Sequence, residues 1–581
     1  MGKRKFTHKK TVIDFKHLGE RLIFENPLEE LSTKSLNKVR SILNEVEDYQ
    51  KQGYYVVGYV SYEAAKAFEE KFTVKQSSLS AEYLAYFTVH KNVRKSTIPL
   101  SYIDVPMPDT WRTNTSEEEY ANAISQIKSN IRQGNTYQVN YTVQLEAELE
   151  ADAFSIYNRL VVEQGAAYNA YIEHDDFAVI SSSPELFFER YDQTLITRPM
   201  KGTTNRGITY QDDLDNKNWL FKDPKNRAEN MMIADLLRND MGRISQVGSV
   251  KVNKLCEVEQ YSTVWQMTST IESQLQLNVS LSQIFQALFP CGSITGAPKI
   301  STMSIINELE PASRGVYCGT IGICLPSGDS IFNVAIRTLQ VKDNHAIYGV
   351  GGGITWDSDW KSEYEEIKQK SAILYRKQAN FDLITTGKLS QGEMLFLEEH
   401  LIRLEKAARY FAYPFDKKLC LSAIKDKIVS LDQTIDYRLK VLLAKDGRLR
   451  IEVAKLEELS IDFLKAIIVE RQEADTTPFV TFKTSYRPHI PKAKTEQIFI
   501  ASDGYLQETA IGNLVLDING KLLTPPVSVG LLDGIYRRYL LQTNQMVEAH
   551  LTKEDLKRAD HIYACNSVRG LYELTIEGGI E

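Results

Sequence analysis

An α+β architecture built in more than one unit is the fold class that the sequence predicts, on three observations. The 581 residues exceed what a single hydrophobic core serves. Alternating strand-like runs and capped amphipathic helices intermix up to about residue 378. A fresh α+β pattern then begins at "FDLITT", after "YRKQANFD", which carries no packing signal. The expected domains are therefore 1–378, a large layered body, and 381–581, a smaller one.

Composition narrows the function classes. A net charge of -7 argues against a nucleic-acid or anionic-membrane partner. The basic opening "MGKRKFTHKK" has no apolar run behind it, as a secretory signal would, and Phe6 breaks the myristoylation pattern. No apolar run is long enough for a membrane span. The six cysteines form no CxxC pair and sit among apolar or glycine-rich neighbours, which suits free thiols in a reducing cytoplasm.

Taken in order, "STKSLNKVRSILNEVEDYQKQG" is an amphipathic helix between strand-like runs. At 115–134 a second helix starts on a Thr115 or Ser116 cap, carries glutamates in its first turn and ends at Gly134. "ISSSPELFFERYDQTLIT" is a hairpin turning at "DQ", and "KGTTNRG" after it is an exposed turn holding Lys201. "NRAENMMIADLLRNDMGRI" is a helix with Met232, Ile233, Leu236 and Leu237 toward a core and Glu229 in its first turn on another face.

"FPCGSITGAPKI" opens a helix at Lys299 behind small residues, whose exposed amides suit an anion. "IFNVAIRTLQV" is a strand carrying Arg337 among apolar residues, and "YGVGGGI" permits close backbone approach. In the helix "SDWKSEYEEIKQKSAILYRKQ", Glu363, Glu366 and Lys370 share one stripe. Solvated turns and helix faces account for each of these alone. Together they supply carboxylates from two helices for Mg²⁺, an arginine and amides for carboxylates, and a lysine nucleophile. That set describes a pocket for a small di-acid.

"SSSPELF", "RPMKGT", "NRAENMMIADLLRNDMGR", "GSITGAPK", "RGVYCGTIG", "FNVAIRT" and "GVGGGITWDSDWKSEYEE" occur in the order found in chorismate-utilising enzymes, over residues 110–375. Within them the chain most resembles the aminodeoxychorismate synthase component I group, because Lys201 stands where anthranilate synthases typically have alanine. The resemblance implies that Lys201 attacks the chorismate ring and that Glu185 handles protons at the departing hydroxyl. It implies Glu229, Glu363 and Glu366 as Mg²⁺ ligands. Substrate contacts would come from Arg337, Ser293, Thr295, Gly296, Tyr317, Gly351, Gly352 and Lys370. A neutral lysine requires a lowered pKa, through burial or a cation such as Arg198. Gln266 stands where the family commonly has a histidine; it can hydrogen-bond the hydroxyl but cannot protonate it. No cysteine has a glutaminase setting, so a separate glutamine amidotransferase subunit is expected to supply ammonia.

In the second region "FDLITTGKLSQGEMLFLEEHLIRLEKAARYF" runs strand, turn, strand, helix, and "TFKTSYRP" puts Lys483 at the end of a strand-like run. "ETAIGN", "LLT" and "LLDGIYRR" resemble the signature of fold-type IV pyridoxal-phosphate enzymes, with Val515 at a usually aromatic place. The resemblance implies Lys483 as the cofactor lysine and base, and Glu508 at the pyridine nitrogen. Phosphate contacts would come from Arg403, Thr509, Gly534 and Ile535, and Thr386 would donate a proton. The region begins at "FxLxTT", without the family's usual opening strand. The fusion favours an aminodeoxychorismate lyase, so the chain would make 4-aminobenzoate for folate. The alternatives are an anthranilate- or isochorismate-type synthase joined to a class IV transaminase, or to a non-catalytic class IV module.

Overall fold

A computed structural model describes residues 7–76, 83–460, 464–471 and 477–577, so part of the basic N-terminal cluster (1–6) lies outside the described residues. The fold is α+β throughout, and the chain divides into two compact units, Met1–Asn205 with Lys217–Gln378, and Arg206–Asn216 with Ala379–Glu581.

In the first unit two antiparallel sheets, each of ten strands among the described residues, stack face to face. Strand alternation builds the layers. In Tyr168–His174 and Phe177–Ser183, residues Tyr168, Ala170, Ile172, Phe177 and Val179 enter the core between the sheets. Tyr171, Ala178 and Ile180 of the same strands join a second core under the helices Glu117–Arg132 and Ala153–Gln164. A third core lies on the far face of the other sheet, under Leu36–Lys51, Pro224–Gly242 and Leu281–Leu288. The helix expected at 115–134 starts on Ser116 with a full capping box to Glu119, and Gly134 follows it at φ +77°.

The chain passes from one sheet to the other at two places that carry functional residues. Phe177–Ser183 belongs to one sheet and Leu186–Tyr191 to the other, with Pro184 and Glu185 between. Ser330–Asn333 and Thr338–Lys342 likewise belong to different sheets, with residues 334–337 between. "IFNVAIRTLQV" is thus two strands rather than one. Arg337 sits at the break with φ +53°, in the left-handed region that an uninterrupted strand cannot hold.

The hairpin Leu186–Tyr191/Thr194–Arg198 forms as expected, with Asp192 at φ +52° in its turn. The exposed turn expected after it does not. Met200–Asn205 is a strand paired to Val264–Gln274, and a register shift between Met200 and Thr203 leaves Lys201 and Gly202 as a bulge. A bulge re-aims one side chain out of the alternating pattern, and here that side chain is Lys201.

One buried ion pair ties these pieces together. Arg314 donates to both oxygens of Glu310 at 2.9 and 2.6 Å, and also to the carbonyls of Ile294 and Asn140 at 2.8 and 2.7 Å. Glu310 in turn accepts from the Thr142 amide and hydroxyl at 2.8 and 2.9 Å. The loop at Ser293 is thereby fixed to the central strand Gln138–Glu148.

In the second unit a sheet, of four strands among the described residues, carries the helices Leu397–Phe411 and Lys417–Val429 over its core. A mixed sheet, of eight strands among the described residues, closes on itself where Glu508 pairs with Asn513. The strand–turn–strand–helix order at 383–411 is as the sequence predicts. Lys483, however, follows a short helix, Pro478–Thr481, and is held by its carbonyl accepting from Ile384 N at 2.9 Å. Among the described residues no helix is long and apolar enough to cross a membrane.

All five tryptophans lie in the first unit, so their fluorescence reports its unfolding. Glu310→Gln leaves Arg314 charged and buried without its counter-charge, which costs about 3–5 kcal/mol. Denaturant titration should show that loss in the tryptophan-reported transition. A change within experimental scatter would mean that the pair does not hold the layers together.

Candidate active sites

The first unit encloses a cavity of about 430 Å³, and the residues singled out in the sequence converge on it. Glu185, Lys201, Glu229, Ser293, Tyr317, Arg337, Gly351, Gly352, Glu363, Glu366 and Lys370 all line it. The glycines make the room. A Cβ on Gly352 would stand 3.3 Å from a Glu363 oxygen, 3.6 Å from the Lys370 amine and 3.9 Å from a Glu366 oxygen. One on Gly353 would stand 3.1 Å from the Lys201 amine and 2.1 Å from the Gln138 amide nitrogen.

Burial pushes the Lys201 ammonium below the ordinary lysine range, and Lys370 pushes the same way. Glu229, Glu185 and Glu366 oppose that shift. Arg198, expected to help, has another partner: its guanidinium pairs with Glu259. Burial also lifts the Glu185 carboxyl to about 7, against smaller opposing effects of Ser293 and Lys201. A carboxyl at that position is part protonated near neutral pH and can give or take a proton.

Lys370 pairs with Glu366 at 2.7 Å and donates to the Gly351 carbonyl at 2.7 Å. Lys370 and burial pull Glu366 in opposite directions, and Lys370 prevails, holding it low. Ser358 donates to Glu363 at 2.6 Å. Among the described residues no three His, Cys, Asp or Glu side chains stand close enough to form a metal cluster. The three expected carboxylates line one cavity without closing into a cluster, and Lys370 holds Glu366 while Ser358 holds Glu363. Burial nevertheless raises the pKa of both Glu229 and Glu363, and the charge of Glu366 adds to each shift. Mg²⁺ takes only one or two carboxylates, completing its shell with water and an anionic substrate. Such crowded carboxylates fit it.

Two expected substrate contacts lie behind the wall. The Thr295 hydroxyl donates to the Cys291 carbonyl at 3.1 Å, and Gly296, at φ +136°, packs against the Gln138 carbonyl. Lys299 is spent on Asp240 at 2.7 Å. Gln266 lines the cavity, donating to the Gly202 carbonyl at 2.8 Å and accepting from Thr203 at 2.9 Å. Sequence reading missed Asn140, Trp219 and Lys225, which also line it. It missed Gln138 too, a buried amide with neither polar atom hydrogen-bonded among the described residues. Its place in "NTYQVNY" reads as an ordinary strand position, so only the packing exposes it.

In the second unit Lys483, Arg403, Arg487, Glu508, Gly534 and Ile535 line one small cavity together. Burial drives the Lys483 amine far below its ordinary range, assisted by Arg403 and Arg487 and opposed by Glu508. Glu508 accepts from Arg471 at 3.1 Å and from the Leu532 amide at 3.1 Å, while burial raises its pKa. Burial, assisted by Arg538 and opposed by Asp533, brings Arg403 to about 10, and among the described residues its Nε has no hydrogen-bond partner. Thr385, held by His400 at 2.7 Å, accepts from the other end of that guanidinium at 3.0 Å.

A dianionic phosphate satisfies such a cluster, with the Gly534 end of the helix Ile535–Gln542 beside it. The site fits pyridoxal phosphate. Two expected members stand apart: the Thr509 hydroxyl is used within its own turn, on Gly512, and the Thr386 side chain does not line that cavity. All six cysteines are free and buried, and burial raises every thiol's pKa.

The carboxylate-lined cavity takes its walls from strands of both sheets and from the helices Pro224–Gly242 and Trp360–Ser371, and comparison with known proteins gives its class. Residues 7–376 match the family described as chorismate binding enzyme, and the chain belongs to that family. Residues 382–575 match amino-transferase class IV. Aminodeoxychorismate synthase component 1 of Bacillus subtilis is 40% identical over 261 residues, which is 45% of this chain and 56% of that protein. Anthranilate synthase component 1 of Pseudomonas aeruginosa is 36% identical over 269 residues, 46% of this chain and 55% of that protein. The chain thus spans little more than half the length of these curated relatives. Anthranilate synthase component I from Streptococcus pneumoniae shares the fold of the first region, at 24% identity and a TM-score of 0.55, over 65% of this chain and 95% of that one.

Glu185 links activity to stability. Its folded-state carboxyl, near 7, binds a proton that the unfolded chain has released above about 4.5, so this contribution falls as pH rises between those values. Glu185→Gln should therefore stabilise the first unit by about 1–3 kcal/mol at pH 8 and leave it unchanged near pH 4. Tryptophan-monitored unfolding at both pH values checks this. Equal stability of the two proteins at pH 8 would place the carboxylate in a well-solvated setting instead.

Proposed function

We propose that the chain makes 4-aminobenzoate from chorismate in two consecutive steps, one in each unit, serving folate synthesis in the cytoplasm. The observation that carries this reading is Lys201, which lines one cavity with Glu185, Glu229, Glu363, Glu366, Arg337 and Lys370. An amine so placed loses the solvation that keeps an ordinary lysine protonated.

In the first step the neutral Lys201 amine forms a bond to the ring of chorismate, the ring double bond shifts, and the C4–O bond breaks. Glu185 gives its proton to the departing oxygen, which leaves as water. Ammonia then bonds at C4, the double bond shifts back, and the bond to Lys201 breaks. The net change replaces hydroxyl by amine with no redox partner. Glu229 and Glu366, with Glu363 nearby, would hold Mg²⁺ against the ring carboxylate, and Arg337 with the Gly351 and Gly352 amides would take the enolpyruvyl carboxylate. Ammonia would come from a separate glutamine amidotransferase subunit. Lys201 favours C4 amination over the anthranilate reaction, since anthranilate synthases typically have alanine there.

In the second unit bound pyridoxal phosphate would draw electrons from C4. Lys483, kept neutral by burial, would take the C4 proton, the enolpyruvyl ether bond would break, and pyruvate would leave as the ring becomes aromatic. Glu508 would hold the pyridine nitrogen protonated, and Arg403, with the Gly534 and Ile535 amides, would hold the phosphate.

Lys201→Ala should abolish aminodeoxychorismate formation from chorismate, Mg²⁺ and ammonium, while pyruvate release from supplied aminodeoxychorismate continues. Near-normal amination in that variant would sink the assignment. Lys483→Ala should do the reverse, accumulating aminodeoxychorismate, with 4-aminobenzoate down by at least about 10²- to 10⁴-fold. Mass detection of both products separates the two outcomes. Glu229→Gln and Glu366→Gln should each shift the Mg²⁺ dependence of amination to higher concentration, and an unshifted curve would reduce that residue to part of the wall.

A further inference from the structure

Beside the cofactor pocket of the second unit lies a larger cavity, of about 260 Å³, that shares only Lys483 and Arg403 with it. Its walls include Lys406 and Arg538 as well, against one acid, Asp533. Asp533 is already divided between Arg537 at 3.1 Å and Arg538 at 3.5 Å. Once a cofactor phosphate has taken Arg403, positive charge at Lys406 and Arg538 remains. An excess of cations in a cavity that opens on the reactive lysine selects an anionic substrate.

Part of this wall comes from an unexpected stretch. Thr209, Tyr210 and Gln211 line the cavity, and they lie in the sequence well inside the chorismate-binding match. By contacts the segment Arg206–Asn216 is part of the second unit. It is anchored there rather than draped. Arg206 and Asp213 form a two-pronged pair at 2.6 and 2.7 Å, with both side chains almost fully buried. The Arg206 guanidinium lies over the Tyr410 ring at 4.4 Å and donates to the Tyr410 carbonyl at 2.8 Å. The Tyr410 hydroxyl donates to the Gly207 carbonyl at 2.7 Å, and Thr481, two residues before Lys483, donates to the Ile208 carbonyl at 2.7 Å. So fixed, Tyr210 presents its ring to the Lys406 ammonium at 5.6 Å.

We propose that the segment 206–216 is a working part of the class IV site, in which Tyr210 positions Lys406 so that Lys406 and Arg538 receive a carboxylate of a dianionic ring substrate. The ring holds the ammonium by cation–π attraction at a mouth where a free lysine would sample many rotamers. This deepens the elimination reading and rests on it. The substrate of that reading carries two carboxylates, one on the ring and one on the enolpyruvyl arm. Arg538 and Lys406 supply a cationic seat for one of them, apart from the cofactor phosphate.

The test uses the full chain loaded with pyridoxal phosphate and supplied with aminodeoxychorismate. Lys406→Gln and Tyr210→Ala should each raise KM roughly 10- to 100-fold, the usual worth of a charge-assisted contact, with kcat and cofactor content unchanged. Tyr210→Phe, which keeps the ring, should restore most of the loss in Tyr210→Ala. A fall in kcat or in bound cofactor without a KM change would overturn the assignment, since that pattern belongs to damaged folding.

A second measurement stands apart from turnover. Isophthalate, a ring with two carboxylates in the meta relation, should perturb the absorbance of the bound cofactor in the wild type. In Lys406→Gln it should do so only at concentrations at least about 10-fold higher, and benzoate should show no such difference. Equal isophthalate binding by the two proteins would overturn the inference even if elimination is confirmed. A retained difference in a chain that performs no elimination would uphold the dianion seat and reject the proposed reaction instead.

Discussion

The first unit is organised around keeping one amine out of water. An ammonium loses heavily on desolvation, so Lys201 is tolerated there only because its neutral form is reachable and carboxylates share the cavity. Each neighbouring feature answers that demand. The bulge at Met200–Thr203 turns the side chain inward, Gly353 clears space for its tip, and Glu185 is placed by the chain's passage from one sheet to the other. Lys370 meets the opposite need, neutralising Glu366 so that the pocket is not left with unbalanced acids. The Glu310–Arg314 pair, itself buried, holds the Ser293 loop to the strand that forms the cavity's back. Stability is surrendered at Glu185 and Lys201, and such concessions mark functional sites rather than packing ones.

Much of this is legible in the sequence because local rules and global fold agree. The helix at Glu117–Arg132 carries its cap, its acidic first turn and its terminal glycine in plain order, and the hairpin at 186–198 carries its turn. Lys201 reads as an exposed turn residue because Thr, Asn and Gly surround it; the pairing with Val264–Gln274, some sixty residues on, overrides that composition. Arg337 reads as part of one strand because apolar residues predominate in "IFNVAIRTLQV", and periodicity cannot show that its two halves belong to different sheets. Gln138 is invisible for the same reason, since an unsatisfied buried amide is a property of packing. Motifs give the members of a site; they do not say which carbonyl or lysine each member already holds, as Thr295, Thr509 and Glu366 illustrate.

The second unit solves the same problem in a different way. Lys483 is kept neutral by burial among arginines rather than among acids, so its site is poised for an anionic cofactor instead of a cation. Glu508, buried and tied to Arg471, is the counterweight at the far end. One unit thus presents a metal-compatible acidic pocket around a lysine, the other a phosphate-compatible basic pocket around a lysine. That contrast in charge separates the two chemistries assigned to them.

The most direct test of the two-step account is the fate of the ammonia nitrogen. The purified chain, with Mg²⁺, pyridoxal phosphate, chorismate and ¹⁵N-ammonium but no glutaminase, should release pyruvate and 4-aminobenzoate labelled in its amine, with the amine para to the carboxylate. Labelled 2-aminobenzoate, or an unlabelled hydroxylated product, would contradict the account.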